Sequence, residues 1–388
     1  MNKRIGKYIT QKSYGESYKA YLPPKLPPEP PIELDGLYPY LEKATIALAE
    51  LNSIHKTIPN TALFIYMYVR KEALLSSQIE GTQSSFSDLM LFEHNQKPEV
   101  SIEDVEEVSN YVKAINYGIE RLKGDFPLSL RLLKEIHGIL LAGTRGASQT
   151  PGEFRRSQNW IGGTRPGNAR FVPPPVEYLN DCLSDLEKFL HDDSLPVLIK
   201  AGLAHVQFET IHPFLDGNGR LGRLLITLLL YAGNMLDEPI LYLSLYLKAH
   251  RNTYYELLQE VRQYGTFETW LEFFLIAVEK SSKQAIETAT RINNLFAKDL
   301  EKISHLGRAR FSCQQTFEYM KRLPQVTVLL LAKELNMTQP TARSALNHLM
   351  SIGIVEEASG KQRDKVYIYR NYLNILEDGA KPFSTEWA

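Results

Sequence analysis

Along most of this chain apolar residues recur three and four positions apart, the period of an amphipathic α-helix. Leu41, Ala44, Ile46, Leu48 and Leu51 mark such a run over 38–51. A longer one over about 60–79 carries Leu63, Tyr66, Met67, Ala73, Leu74 and Leu75 without proline or glycine. Gly81 stops it, as glycine does past a helix C-terminus. The stretch 101–122 opens on Ser101, a suitable N-cap, and places Glu103, Asp104, Glu106 and Glu107 in its first turns, where the helix dipole favours acids. Helical spacing continues over 128–141, 175–191, 196–211, 221–231, 244–264, 267–276 and 281–296. The expected fold class is therefore mainly α.

Three stretches break the period. In 1–35, Pro23, Pro24, Pro27, Pro28, Pro30 and Pro31 crowd together, which predicts an extended polyproline arm on the surface. Such an arm could also serve a proline-binding partner. From 152 to 175, Asn159-Trp160-Ile161 and Ala169-Arg170-Phe171-Val172 flank the turn residues Thr164-Arg165-Pro166-Gly167-Asn168. This predicts a β-hairpin, with Arg155 and Arg156 as ordinary surface charges. In 305–370, helical spacing over 311–320 and 326–335 leads to a third helix opened by Thr338 and Pro340 and ended by Gly353. Ile354-Val355-Glu356 and Val366-Tyr367-Ile368-Tyr369 then alternate across a Gly360-Lys361 turn.

Three helices and a two-stranded wing are similar to a winged helix-turn-helix. The exposed face of the third helix would hold Thr338, Gln339, Thr341, Ser344 and Asn347, with Arg343 nearby. Lys and Arg outnumber Asp and Glu here by ten to five. That face could enter a DNA major groove. Protein contact or dimerisation is its other use, so a homodimer lies within the expectation.

Composition narrows the class. The formal net charge is -1, which gives no global field for nucleic acid or membrane. Cys182 and Cys313 are the two cysteines, too few for a disulfide framework or zinc spacing. The N-terminus lacks the apolar run of a signal peptide, and no stretch is long enough to span a membrane. The expectation is a cytosolic protein with no membrane partner.

The chemistry concentrates in 211–223, Ile-His-Pro-Phe-Leu-Asp-Gly-Asn-Gly-Arg-Leu-Gly-Arg. Gly217-Asn218-Gly219 lets the backbone turn with positive φ and present successive N–H groups as an anion nest. The apolar run that follows predicts a helix, so its N-terminal amides add to that nest. Arg220 and Arg223 offer guanidinium forks suited to phosphate. Asp216 is a hard oxygen ligand of the kind Mg²⁺ takes, and His212 is a candidate base. Gly217-x-Gly219-x-x-Gly222 also fits a dinucleotide fingerprint, but that needs a preceding strand and the spacing before it is helical. His205, Glu209 and His212 lack the paired spacing of zinc helices.

These residues match, position for position, the signature of the Fic (filamentation induced by cAMP) family, His-Pro-Phe-x-Asp/Glu-Gly-Asn-Gly-Arg-x-x-Arg. The resemblance implies a Fic-type helical bundle that transfers AMP from ATP to a Ser, Thr or Tyr hydroxyl of a target protein, which can be the chain itself. It implies His212 as base, Gly217, Asn218, Gly219, Arg220 and Arg223 on the nucleotide, Asp216 on Mg²⁺, and Tyr255 beside adenine. It makes the 159–161 segment (Asn159, Trp160, Ile161) a flap that registers the target by main-chain pairing.

Ser76-Ser77-Gln78-Ile79-Glu80-Gly81 further resembles the family's inhibitory helix, Ser/Thr-x-x-x-Glu-Gly/Asn. A carboxylate at a helix C-terminus is electrostatically unfavourable and calls for a partner. The resemblance implies that Glu80 bonds Arg223 in the place of the γ-phosphate, and Glu80 could also help remove AMP. The expected organisation is an N-terminal helical region, 1–110, a Fic core, 111–300, and a winged-helix domain, 305–388. The alternatives are a DNA-binding regulator that uses the nucleotide site as a sensor, and a transferase with another donor, UTP, GTP or a phosphocholine compound.

Overall fold

A computed structural model describes residues 4–13, 15–54, 61–93, 97–98, 100–358 and 365–381. It opens with a strand pair, β1 (Lys7–Ser13) and β2 (Glu16–Leu22), antiparallel from Lys7↔Leu22 to Ser13↔Glu16. The expected polyproline arm is thus half hairpin. Tyr8, Tyr18 and Tyr21 favour paired strands, and the prolines begin only after β2 ends.

A helical bundle follows: α1 (Tyr38–Ile54), α2 (Thr61–Ile79), α3 (Phe86–Glu93), α4 (Ile102–Lys123), α5 (Leu130–Leu140), α6 (Val176–Leu190), α7 (Val197–Ile211), α8 (Asn218–Ala232), α9 (Ser244–Ala249), α10 (Arg251–Tyr264) and α11 (Phe267–Ser304). Asn60, the expected start of the second helix, lies outside the described residues. Ser129 caps α5, its hydroxyl accepting from Leu132 N at 3.4 Å. Ser101 precedes α4, but its side chain makes no cap bond.

α7 is buried on nearly every side, its polar Lys200, His205, Gln207, Glu209 and Thr210 included, and packs against α6, α8, α10 and α11. It ends at His212, whose φ of 48° reverses the chain. Gly217, at φ 76°, then admits it into α8. The two helices carry the 212–217 loop between them as a rigid bracket.

Three expectations are revised. The runs 267–276 and 281–296 belong to one helix, α11, because nothing in 277–280 breaks a helix. It spans about 57 Å at 1.5 Å per residue. The boundary expected after 110 falls inside α4, which packs on both α2 and α5. Between 152 and 175 there is one antiparallel bridge, Ile161↔Phe171, closed by a 3-10 turn at Pro166–Asn168. Gly162 and Gly163 both take positive φ there, which ends the pairing.

Beyond α11 come α12 (Arg310–Arg322), β3 (Gln325–Thr327), α13 (Val328–Glu334), α14 (Gln339–Ser351), β4 (Glu356–Glu357), β5 (Val366–Ile368) and α15 (Arg370–Leu376). The strands form a sheet in the order β3-β5-β4, antiparallel throughout. Thr338 caps α14, accepting from Thr341 N at 3.3 Å. The expected Gly360-Lys361 turn lies outside the described residues. This unit seats on α11, where Tyr369 donates to Asp299 Oδ2 at 2.6 Å and Phe296 meets Phe317, Tyr369 and Tyr372. One buried apolar cluster runs unbroken from the bundle into it. Among the described residues, no helix is long and apolar enough to cross a membrane.

Candidate active site

The 212–217 loop is held from below. Asn218 folds back on it: its Oδ1 accepts from Phe214 N at 2.9 Å and its Nδ2 donates to Phe214 O at 2.9 Å. Phe214 is fully buried and stacks on His137, ring centroids 3.7 Å apart. Gly152 N donates to His137 Nδ1 at 2.8 Å, so Nε2 carries the proton and donates to Asp216 O at 3.0 Å. Burial pushes the His137 pKa down to about 4, which keeps that neutral tautomer.

Arg155 is no surface charge. It is 2% exposed, its Nε donates to His212 O at 3.0 Å, and its other nitrogens reach Ser157 O and Pro174 O. Arg156 is exposed, as expected. Asn159 Nδ2 donates to His212 O and Phe214 O, at 3.1 and 2.8 Å. The first residue of the expected flap therefore ties that segment to the loop.

Above the loop lies a cavity of about 580 Å³. His212, Gly219, Arg223, Tyr255, Trp160 and Ile161 line it, and so does Glu80. The volume suits a nucleotide-sized ligand. Asp216, Gly217, Asn218 and Arg220 stand outside this lining. Arg220 pairs instead with Glu107 at 3.2 Å and approaches Asp216 at 3.5 Å. Glu107 also receives Arg145 Nε at 3.2 Å. The two arginines expected to face one way are thus divided: Arg223 turns to the cavity and Arg220 to α4. Of the three residues in the glycine turn, Gly217 alone takes positive φ; Asn218 and Gly219 already belong to α8.

Gly219 is needed for a different reason. A Cβ there would overlap the Glu80 carboxylate. Glu80 Oε1 accepts from Arg223 Nη2 at 2.7 Å. Arg223 Nε donates to Ser76 Oγ at 2.8 Å, and Nη2 also donates to Ser76 O at 2.9 Å. Ser76 is fully buried behind the guanidinium and positions it. Burial opposes the charge on Glu80, but Arg223, with help from Arg220 and Arg251, holds its carboxyl below the usual range. An anionic group thus occupies the N-terminal end of α8, against a guanidinium, as helix dipole and free amides favour. Among the described residues, Arg223 Nη1 and His212 Nδ1 are buried there with no hydrogen-bond partner.

Burial first, then Arg262 and Arg155, push the His212 pKa down to about 3, so the imidazole is neutral in the resting site. Tyr254 and Tyr255 both line the cavity; Tyr254 is the more buried and is bonded to His205 Nε2 at 2.8 Å. His205 is thereby satisfied, with Nδ1 at 2.9 Å from Gly222 O. No cluster of three metal-binding side chains occurs among the described residues. A Mg²⁺ ion that takes most of its ligands from phosphate and water needs no such cluster. The half-exposed Asp216 carboxylate, beside the anion end of α8, fits that donor set.

Sequence reasoning misses His137 and Arg262, treats Arg155 as a surface charge, and reads Glu209 as a satisfied polar residue beside the loop. Arg262 bonds Glu209 O and Thr210 Oγ1 and stacks over Phe171 at 4.0 Å. Glu209 is buried in the cavity wall, and among the described residues its Oε1 has no hydrogen-bond partner. The helix preceding the glycines excludes the dinucleotide fingerprint, which requires a strand.

Two family models match the chain. Residues 38–120 match the family model described as Fic/DOC family N-terminal, and residues 127–230 match that of the Fic/DOC family. The chain thus carries Fic/DOC family domains. It is 31% identical over 185 residues to the protein adenylyltransferase Fic of Drosophila yakuba, and 33% identical over 188 residues to that of Aedes aegypti. Each match covers 47% of this chain and 34% of the relative, so the chain spans about a third of the length of these curated relatives. A Fic family protein from Desulfovibrio desulfuricans shares the fold, with TM-score 0.55 and 20% identity over 85% of this chain and 96% of that one. Fic-1 of C. elegans does so with TM-score 0.51 and 21% identity over 66% of this chain and 74% of that one.

Proposed function

We propose that this chain is a protein adenylyltransferase, moving AMP from ATP to a Ser, Thr or Tyr hydroxyl, and that Glu80 holds it inactive. The observation that carries the reading is the Glu80 carboxylate seated on Arg223 above Gly219. A site that already holds one anion between a guanidinium and a helix N-terminus has the chemistry for a phosphate. Withdrawal of Glu80 would leave two Arg223 nitrogens for the γ-phosphate.

His212 takes the proton as the target oxygen attacks the α-phosphorus. The bond from that phosphorus to the bridging oxygen breaks, and pyrophosphate leaves with charge stabilised by Arg223 and the α8 amides. Arg155 and Asn159, both bonded to the His212 carbonyl, fix the base beneath the 159–161 segment, where the target would pair. Tyr255 walls the base of the nucleotide. Asp216 would hold Mg²⁺ together with phosphate oxygens, and the ion would neutralise phosphate charge.

Incubation with α-labelled ATP tests this. Glu80→Gly should label itself or added protein well above the unaltered chain. His212→Ala in the Glu80→Gly background should lose labelling while still binding ATP in a calorimeter. Equal labelling with and without Glu80 would remove the inhibitory role, and labelling that survives His212→Ala would remove the base. A panel of labelled nucleotides run on Glu80→Gly settles the donor.

Residues 305–381 support a winged-helix reading. α14 presents Gln339, Thr341, Arg343, Ser344 and Asn347 to solvent, beside a small antiparallel sheet. A DNA-binding role for this face predicts a salt-sensitive, sequence-selective gel shift that Arg343→Ala weakens.

A further inference from the structure

The inhibitory glutamate follows α2 directly, so whatever holds the end of α2 holds Glu80. Gln78, two residues earlier, is fully buried. Its Nε2 donates to Ser84 O at 2.8 Å and to Ala380 O at 2.9 Å. Its Oε1 accepts from Lys248 Nζ at 2.7 Å. The same ammonium donates to Lys381 O. Lys248 lies on α9 and is itself 6% exposed. Ala380 is 2% exposed, and a Cβ on Gly379 would overlap Leu245. The tail is therefore wedged between α2 and α9.

The same segment is the end of the C-terminal unit. Residues 377–381 leave α15, which leaves β5, with no linker between. On the way Glu377 Oε1 accepts from Ser87 Oγ at 3.2 Å, and Asp378 pairs with Arg291 on α11 at 3.0 Å. Higher on α2, Glu72 takes Ser244 N and Oγ, at 3.0 and 2.5 Å, so α9 grips the helix at a second level.

We propose that residues 378–381 are the latch of the Glu80 plug: they clamp Gln78 through the Ala380 carbonyl and Lys248, so that displacement of the 305–381 unit frees Glu80 from Arg223. The reasoning is one of satisfied groups. If the tail leaves, the Gln78 amide keeps Ser84 O and the Lys248 ammonium keeps Gln78 Oε1, but each loses one buried acceptor, and a hydrogen-bonding capacity left unmet in a buried site is costly. α2 and α9 must then shift to reach water, and the turn after Gln78 moves with them. A ligand or partner that binds the C-terminal unit better with its tail released would in this way switch on the distant site.

This latch rests on Glu80 being inhibitory, and the test keeps the two apart. Self-labelling from α-labelled ATP is compared for the full chain, Glu80→Gly, Lys248→Met, Lys248→Arg and a chain ending at Gly379. Hydrogen exchange is followed at 76–82 and at α7. Lys248→Met and the shortened chain should each raise labelling by about fivefold or more. Adding Glu80→Gly to either should give no further rise. Exchange should quicken at 76–82 and stay slow in α7, which excludes general unfolding. Lys248→Arg, which keeps a donor, should stay near the full chain. The latch is refuted, and the plug left standing, if both variants label like the full chain while Glu80→Gly is elevated. If Glu80→Gly is not elevated, the plug reading falls and the latch with it.

Discussion

The Arg155 guanidinium spends all three nitrogens on main-chain carbonyls: His212, Ser157 and Pro174. No carboxylate within the described hydrogen bonds answers its charge, and burial lowers its pKa to about 10. A planar fork suits three acceptors in different directions; an ammonium does not. Arg155→Lys should lower stability by about 2–4 kcal/mol in urea unfolding and slow transfer through misplacement of His212. Sequence alone could not distinguish Arg155 from Arg156. They are chemically identical neighbours, and only the path of the chain past Pro213, whose carbonyl accepts from Arg155 N at 2.9 Å, buries one. Glu80 is the opposite case. Its local motif already signalled a partner, since a bare carboxylate at the end of a helix is unfavourable.

At the scale of elements, the β1–β2 hairpin leans on the 159–172 segment. Tyr21 N donates to Val172 O at 2.9 Å, and Tyr18, Ala20 and Val172 form a small separate apolar cluster with Trp160 against it. Glu16 binds Gly167 N at 2.9 Å and pairs with Arg165. The hairpin therefore covers Val172, while Ile161 and Phe171 both line the cavity. Removal of residues 1–22 should weaken labelling of an added target while ATP binding by Glu80→Gly stays unchanged, as read by calorimetry. Equal target labelling would show that the hairpin supports nothing at the flap. The helices were legible because a 3.6-residue apolar period is written locally. The hairpin was not: its alternation is weak, and prolines just beyond it dominate the composition. α3 was missed for a related reason, since eight residues carry too few turns to show a period.

Across the whole molecule, buried titrating groups set the response to acid. His137 is pushed down to about 4, and His205 and His212 to about 3, mainly by burial. Unfolded imidazoles bind protons below about pH 6.5 and these folded ones do not, so each loses stability as pH falls from there. Glu72 and Glu209 act oppositely. Burial raises both to about 7, so the stability they contribute is complete below their unfolded value and fades as pH rises through 7. Between pH 6 and 5, three imidazoles are opposed by two carboxyls. For these five groups the net is about one proton, or roughly 1.4 kcal/mol lost per pH unit. Glu209→Gln should roughly double that slope in urea unfolding, to about 2.7 kcal/mol per unit, while gaining stability above pH 7. An unchanged slope would mean that Glu209 is ionised in the folded chain.

The chain by itself determined most of its helices and the loop that joins α7 to α8; the partner of the acid after α2 was legible only through a family resemblance. Those depend on residues close in sequence or on a motif long enough to be read whole. The tertiary structure alone decided which guanidinium faces the cavity, that Arg155 and His137 hold the loop from behind, and that the tail at Ala380 closes on Gln78. Each of these joins segments tens to hundreds of residues apart. No spacing records such a contact: burial and hydrogen-bond satisfaction act on the folded chain as a whole.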